Sequence, residues 1–524
     1  RTLDSLIFNA SVTEKAPGMA AIIIKDDSIV YFGTKGYANV KDKLPIGLHT
    51  QYNIGSVTKM FTATAIVLLE QEGKLNRNDE VKKYIPELPD AANGITIHQL
   101  IAHTSGIRDH FKVSTLLFNY TAKLQTYHGM FEYYATYHQP NNKAGDYFAY
   151  SNTGYMLLAK IIETASGMSY ANYLEQAIFI PLGMTSTYVS EGKVTYLEDG
   201  TTSYRIKNSG KAKHPDSYTD ALGATGINST LYDLYLWDKN FYNNKLGDTN
   251  YALIDTIEKN YLLNNGNNTY YGHGIINKNY RGKTAREHSG GWSNYLTQYR
   301  RFPDEHISII AWNNSTNYSP FTTVDKLCDA VFNFDSTRTT TDMRPGFKQK
   351  ELEGTYITEN NYIREVRLKG DTLILRLPLN QSTRFHRLTY TGSFRDSLIT
   401  YTDTAGNAVV FRKNNDTING FTWKGGEYFV GERYYSKINE NNIIPVKRIT
   451  GKYFLEEENK HIKIIYKKRK HKLYFRNFPV VRYELNHVSG NVYFIKAYDM
   501  YLRVEGNSVI VGDDWIFNVV YTKK

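Results

Sequence analysis

The sequence predicts an α+β domain over residues 1–335, an antiparallel sheet flanked by helices, followed by two small antiparallel all-β barrel-like units. Three observations carry this expectation. Strand signals sit at both ends of the first 335 residues, with helical periodicity between them. The last third turns to short alternating strands bounded by turn residues. That last third also repeats itself.

The elements are read in order. Met19–Lys25 and Ile29–Gly33 flank Asp26-Asp27-Ser28 and predict a β-hairpin. From Val57 to Gly73, apolar positions at Met60, Phe61, Thr64, Ala65, Leu68 and Leu69 have helical spacing, and Gly73 ends the pattern. Gly154–Ser166 reads as helix in the same way. Tyr295–Phe302 and Ile307–Asn313, joined by Pro303-Asp304-Glu305, predict a second hairpin. Val324–Phe334 predicts a helix with Leu327, Cys328, Val331 and Phe334 on one side.

Residues 336–350 read as a linker, with Arg344-Pro345-Gly346 as its breaker. Beyond it, units over 351–440 and 447–524 carry matched signatures. Leu352, Gly354 and Tyr356 match Ile449, Gly451 and Tyr453, an offset of 97 residues. Phe411-Arg412 matches Leu502-Arg503 at 91, and Ile418, Gly420 and Trp423 match Ile510, Gly512 and Trp515 at 92. Three pairs in one order point to duplication. Two copies of a small antiparallel barrel or sandwich suit such strands, because closure hides sheet edges.

Composition narrows the class of protein. Of the 524 residues, 41% are hydrophobic and 22% charged, enough to bury a core and too apolar for a disordered chain. No apolar run reaches the roughly 18 residues of a transmembrane helix. The single cysteine, Cys328, excludes an intrachain disulfide and a cysteine zinc cluster. Residues 345–524 hold 30 Lys+Arg against 19 Asp+Glu, and residues 1–344 hold 33 of each, so the net charge of +11 belongs to the last third. This is read as a solvated basic surface, with an anionic cell-wall or membrane contact as the alternative for the run from Lys467 to Lys472. Nucleic acid is not expected as a partner.

Three short patterns carry chemistry. Gly55-Ser56-Val57-Thr58-Lys59 opens the first long helix, and Lys59, three residues after Ser56, shares its face. A serine hydroxyl needs a neighbouring base to become a nucleophile, and a helix N-terminus offers N–H groups to a developing oxyanion. Spacing alone does not select this pair, because Ser190 and Lys193 share it. Tyr150-Ser151-Asn152 precedes the second helix; a tyrosine near a lysine can act as base, and an asparagine can hold the lysine and a substrate carbonyl. Tyr37/Asn39, Tyr170/Asn172 and Tyr242/Asn244 repeat that spacing. His288-Ser289-Gly290-Gly291 enters the strand at Tyr295, where glycines let a substrate backbone approach and the Gly291 N–H can join that of Ser56. Trp292 and Tyr295 follow, as pocket lining or as packing.

Taken together and in order, these patterns resemble the serine β-lactamase and penicillin-binding-protein superfamily, most of all its class C β-lactamase-like branch with D-aminopeptidase, DD-peptidase and esterase relatives. His103-Thr104-Ser105-Gly106, Phe148–Tyr155, Pro181–Met184 and Gly223–Thr230 with Asp233-Leu234 add to the likeness, which covers about residues 10–335. The resemblance implies a β-lactamase/transpeptidase-like fold and an acyl-enzyme on Ser56. It implies that Lys59 and Tyr150 share the general-base and general-acid work, that Asn152 binds substrate and positions Lys59, and that Ser56 and Gly291 form the oxyanion hole. His288, Gly290 and Gly291 would bind substrate, with His288 in the place of a lysine found in many members. His103 is structural in that family. No cofactor or metal is implied.

A histidine at 288 is mostly neutral at pH 7, against the near-permanent charge of a lysine, and activity is expected to depend on pH near its pKa. That argues against an efficient β-lactamase; the resemblance leans the same way and implies a peptidase or amidase on small D-residue-containing or peptidoglycan-derived peptides. The alternatives are an esterase or weak β-lactamase with the same chemistry, and a sensor that acylates without turnover. No leader segment is read at Arg1, so an extracytoplasmic location, periplasmic or secreted, is expected from the resemblance alone. The repeated units look like the lipocalin-like barrels of some D-aminopeptidase-like relatives. By that analogy a barrel loop limits substrate size, and a chain ending near Phe334 would accept larger substrates.

Overall fold

The computed structural model describes residues 3–4 and 16–334, without 112–126, 137–139, 191, 195, 207–211, 214–216, 219–220, 249–251 and 316–318. Beyond residue 348 it describes the strands, short helical turns and some connections of two barrels. Among these residues no helix is long and apolar enough to cross a membrane.

The first hairpin forms from Met19–Lys25 (β1) and Ser28–Lys35 (β2). Asp26 and Asp27 both take positive φ, 47° and 58°, the turn that matches the twist of a two-residue hairpin. Ile276–Tyr280 (β3), Lys283–Trp292 (β4), Tyr295–Phe302 (β5) and Ile307–Asn313 (β6) complete an antiparallel sheet in the order β3-β4-β5-β6-β1-β2. The N- and C-terminal parts of the unit thus meet at β1–β6, in register from Met19 opposite Asn313 to Lys25 opposite Ile307.

Both faces of this sheet are covered, which is why β1 reads as an unbroken apolar run. Ala20, Ile22 and Ile24 face a core shared with Met60, Phe61, Ile66 and Leu69 of the helix Thr58–Gln71 (α1) and Leu157, Leu158 and Ile161 of the helix Asn152–Ser166 (α2). Met19, Ala21 and Ile23 face Val324, Leu327 and Cys328 of the helix Pro320–Val331 (α3).

Three helix boundaries differ from the sequence reading, each for a local reason. A 3₁₀ turn, Gly55–Val57, precedes α1. The α2 helix starts two residues early because the Ser151 side chain accepts the Gly154 N–H at 3.2 Å, and it ends where Gly167 turns left-handed at φ 73°. The α3 helix starts at Pro320 behind the Ser319 cap and stops at Val331, since Asn333 takes φ 52°. Phe334 still packs with this layer.

Strands from Gly354–Ile357 to Glu432–Lys437 close one barrel of eight, and those from Gly451–Leu455 to Val519–Lys523 close another. The matched residues fall on the same strand of each. Phe411 and Leu502 lie buried on the sixth, and Ile418 and Ile510 on the seventh. Trp515 and most of the linker lie outside the described residues.

Each barrel is shut by the same device. The Tyr356 hydroxyl donates to the Leu352 carbonyl at 2.7 Å, and that of Tyr453 to Ile449 at 2.9 Å. Lys437 Nζ reaches the Glu351 carbonyl at 3.0 Å, and Lys523 Nζ that of Arg448 at 2.7 Å. Each ammonium lies 5.8 Å from the ring centre of the tyrosine in its own barrel. A Cβ on Gly354 or Gly451 would stand 2.6 Å from the Cε of that lysine, so the glycine of the repeat makes room for a side chain from the last strand of its barrel. In the basic run, Lys472 pairs with Glu484 at 2.7 Å; residues 468–471 lie outside the described residues.

The barrels are not separate from the first unit. Phe148, Ala149 and Tyr271 belong to one apolar cluster with Leu352, Tyr356, Val366 and the rest of the first barrel's core, and Tyr147, Tyr150 and Tyr270 pack against it. Ile357 and Ile438 in turn meet Val492 and Tyr501 of the second barrel.

Candidate active site

The sharp bend before α1 sets the site. Gly55 turns at φ 56°, and the Asn53 side chain accepts its N–H at 2.9 Å. A Cβ on Gly55 would lie 2.3 Å from Gly291 N, and one on Gly290 would lie 2.0 Å from the Ile54 carbonyl. Only paired glycines let these two backbones touch. The contact brings the N–H of Gly291 beside the turn that carries Ser56.

Ser56 is partly exposed, and Lys59, one turn on, is fully buried. Lys59 Nζ stands 3.0 Å from Ser56 Oγ, 2.8 Å from Asn152 Oδ1 and 2.9 Å from the Ala224 carbonyl. Three oxygens match the three N–H bonds of an ammonium. Burial nevertheless pulls this group down to about 7, against the opposing charge of Asp109. On losing one proton, the amine turns a lone pair to its neighbours.

Tyr150 closes the other side. Its hydroxyl is hydrogen-bonded to Ser56, and Lys59 Nζ lies 4.9 Å from its ring centre. Burial raises its pKa, the Ser56 hydrogen bond opposes and the Asp109 charge adds, so the phenol stays protonated. A neighbouring ammonium can lower the pKa of a tyrosine, but desolvation outweighs that effect here. His103 packs beneath, its ring 4.2 Å from that of Tyr150, with φ 57° and its Nδ1 accepting the Ser151 N–H at 3.1 Å. It orients the Tyr150 segment and is held neutral by burial.

His288 is buried and its two nitrogens are engaged away from Ser56. Nδ1 lies 2.7 Å from the Ser289 carbonyl, and Nε2 lies 3.2 Å from the hydroxyl of Tyr271. Burial, with the charge of Lys59, lowers its pKa to about 3, so no titration near neutrality is expected from it. Trp292 lies at the end of β4, its ring 5.7 Å from Phe111, whereas Tyr295 is buried in the main core.

Among the described residues, Ser190, Tyr170 and Tyr242 of the look-alike pairs are engaged elsewhere. Ser190 Oγ accepts from Asn228 at 2.8 Å, the Tyr170 hydroxyl meets Thr62 at 2.7 Å inside the core, and Tyr242 stacks on His306. Two residues of the site were given no role from the sequence. Asp109 is buried and accepts the Asn152 N–H at 2.6 Å. Ala224 contributes only a carbonyl, which no side-chain pattern reports. The nearness of Asp109 to the His-Thr-Ser-Gly segment was the one available signal.

Comparison with known proteins bears on the whole arrangement. A family model described as Beta-lactamase matches residues 3–327. Penicillin-binding protein 4* of Bacillus subtilis (strain 168) is 32% identical over 306 residues, 55% of this chain and 65% of its own length. Protein flp of Staphylococcus aureus (strain MRSA252) is 31% identical over 240 residues, 45% of this chain and 44% of its own. The chain therefore spans less than two thirds of either relative. Among solved structures, the octameric penicillin-binding protein homologue of Pyrococcus abyssi superposes with a TM-score of 0.54 at 24% identity, over 81% of this chain and 96% of that one. The D-amino acid amidase of Ochrobactrum anthropi SV3 gives 0.52 at 24%, over 61% and 94%. At such identities these two likenesses speak for the fold.

Proposed function

The chain belongs to the beta-lactamase family, and on that premise we propose that it is a serine hydrolase working through an acyl-enzyme on Ser56, a peptidase or amidase on small peptides. The observation that carries this reading is Lys59 Nζ, buried and 3.0 Å from Ser56 Oγ.

The proposed path follows the charges. Neutral Lys59 takes the Ser56 proton as Oγ attacks the substrate carbonyl. The N–H groups of Ser56 and Gly291 receive the oxyanion. Tyr150, held protonated by burial, gives its proton to the leaving nitrogen and is re-protonated from Lys59. Water then attacks the ester, with the same groups running in reverse, and frees Ser56. Asn152 holds Lys59 in place through its Oδ1.

His288 bears on the substrate class. It is neutral at working pH, and both its nitrogens are engaged. It offers no positive charge to a substrate carboxylate, which favours peptide amides over acids and β-lactams. D-residue-containing or peptidoglycan-derived peptides fit this reading, and so does an extracytoplasmic location. An esterase or weak β-lactamase uses the same groups, and a sensor stops at the acyl-enzyme.

The test is labelling by a fluorophosphonate and a fluorescent penicillin beside Ser56→Ala, followed by intact mass over time. Label that requires Ser56 and then decays is expected. Stable label would turn the reading into a sensor. Absence of label from both probes would remove the nucleophile.

A further inference from the structure

We propose that Asp109 is a positioning residue of this site, a buried carboxylate that fixes the start of the Asn152 helix and supplies the negative field in which Lys59 works. The proposal rests on the Ser56 acyl-enzyme reading and deepens it.

The geometry begins with a clasp between two segments more than 40 residues apart. Asp109 Oδ2 accepts the backbone N–H of Asn152 at 2.6 Å. The next residue repeats the contact, with the His110 N–H donating to Thr153 Oγ1 at 2.9 Å and its Nδ1 also 2.9 Å from that oxygen. Successive residues of one segment thus grip successive residues of the other. Asn152 and Thr153 are the first residues of α2, behind the Ser151 cap. A carboxylate on the first N–H of a 15-residue helix meets the positive end of the helix dipole, which favours its ionised form.

The clasp reaches the reacting atoms through one side chain. Asn152 Oδ1 is 2.8 Å from Lys59 Nζ, which is 3.0 Å from Ser56 Oγ. A shift of the α2 start therefore moves the base relative to the nucleophile. The segment leading to Asp109 is fixed as well. Gly106 at φ 76° passes so close to Asn142 that a Cβ would lie 2.1 Å from its carbonyl, and the Ile107 N–H is held by Ser105 Oγ.

Charge is the second effect. The groups around Lys59 are Ser56, Asn152, the rings of Tyr150 and Tyr155, His103, His288 and Asp109. Tyr150 and Tyr155 are held protonated by burial, and both histidines are held neutral. Asp109 is the carboxylate that opposes the burial of Lys59. Removing its charge makes Lys59 lose its proton at lower pH.

The variants Asp109→Asn and Asp109→Glu separate position from charge. For each, the rate of Ser56 labelling by the fluorophosphonate is followed from pH 4 to 10 on the full chain, with circular dichroism as a fold check. Asp109→Asn keeps an oxygen for the Asn152 N–H. Its acid limb is expected to move down by about one pH unit or more, the order expected for loss of a nearby opposite charge. Asp109→Glu keeps the charge on a longer arm. Its limb is expected to stay with the wild type while the plateau rate falls about tenfold or more. A folded Asp109→Asn with an unmoved limb overturns the proposal. If Asp109→Asn does not fold, Asp109→Glu decides, and an unchanged plateau or a shifted limb overturns it. Failure of wild-type labelling at Ser56 instead overturns the acyl-enzyme reading.

Discussion

The first unit and the two barrels bury different things. Around Ser56 the interior holds an ammonium, a carboxylate, two histidines, an asparagine and several tyrosines, each fitted to partners from distant segments. Beyond residue 348, the buried polar residues among those described are Thr355, Thr358, Arg364, Glu365 and Thr422, and the rest of the interior is aliphatic and aromatic. Apolar packing is non-directional and tolerates volume-conserving change. A buried polar network fails when one member is missing. The lesson is that loss of activity and loss of stability are expected to separate along this boundary.

The largest expected effect tests that separation directly. Lys59→Met should lower the rate of Ser56 acylation by about 10²–10⁴, the usual contribution of a general base. The same change should move the thermal midpoint far less, because ending the desolvation cost of the buried amine offsets the hydrogen bonds lost at Asn152 Oδ1 and the Ala224 carbonyl. Kinetics and a melting curve on one sample check both, and a variant both inactive and much less stable would break the comparison.

The counterpart lies in the first barrel. Phe411→Ala should cost about 3–5 kcal/mol of stability while leaving turnover unchanged where the protein stays folded. Denaturant unfolding with assays at low temperature reads both. A harsher version ends the chain at Phe334. Because Phe148, Ala149 and Tyr271 share a cluster with the first barrel, activity on small substrates should fall as well. Retained small-substrate activity with new acceptance of larger substrates would instead support the view of the barrel as a size filter.

The pH profile is the next sharpening. With Lys59 held down to about 7, the rate should fall tenfold per pH unit below that point and level off above it. Tyr150 is raised, so it adds no basic limb below about pH 10. The sign for stability follows. Between about pH 7 and about 10, the unfolded chain holds a proton on Lys59 that the folded chain has lost, so stability rises with pH there. A limb near 6.5 that vanished in His288→Gln would assign the titration to His288 and contradict its burial.

The smallest effect lies within the repeat. Lys437→Met and Lys523→Met should each cost about 1 kcal/mol, since each removes one partly exposed hydrogen bond to a carbonyl. The two values should agree, because the two barrels are closed alike. A difference of several-fold in unfolding free energy would show that one closure has taken on another role.

Much of this was legible in the sequence because it is local or periodic. Ser56 and Lys59 share a helix face, Tyr150 and Asn152 bracket a helix cap, and the Gly290-Gly291 pair announces a close backbone approach. The barrels showed themselves through Gly-x-Tyr used twice and through apolar positions on matching strands. Their closing lysines did not, since Lys437 and Lys523 sit in ordinary strand text far from the tyrosines they cover. Asp109 stayed unread for the same reason, its partner lying 43 residues away.

What the sequence determined by itself, then, is the inventory and its local placement: helices around an antiparallel sheet, a repeated all-β unit, and the side chains proposed here to carry acyl transfer. Periodicity and turn chemistry act over a few residues, and the sequence displays them directly. The tertiary structure decided which of the repeated Ser-x-x-Lys and Tyr-x-Asn patterns meet, how far burial displaces Lys59, Tyr150 and His288 from their ordinary pKa values, and which carboxylate faces the lysine. Those depend on water excluded and charges brought together by segments remote in the chain. Only the packed fold sets these distances.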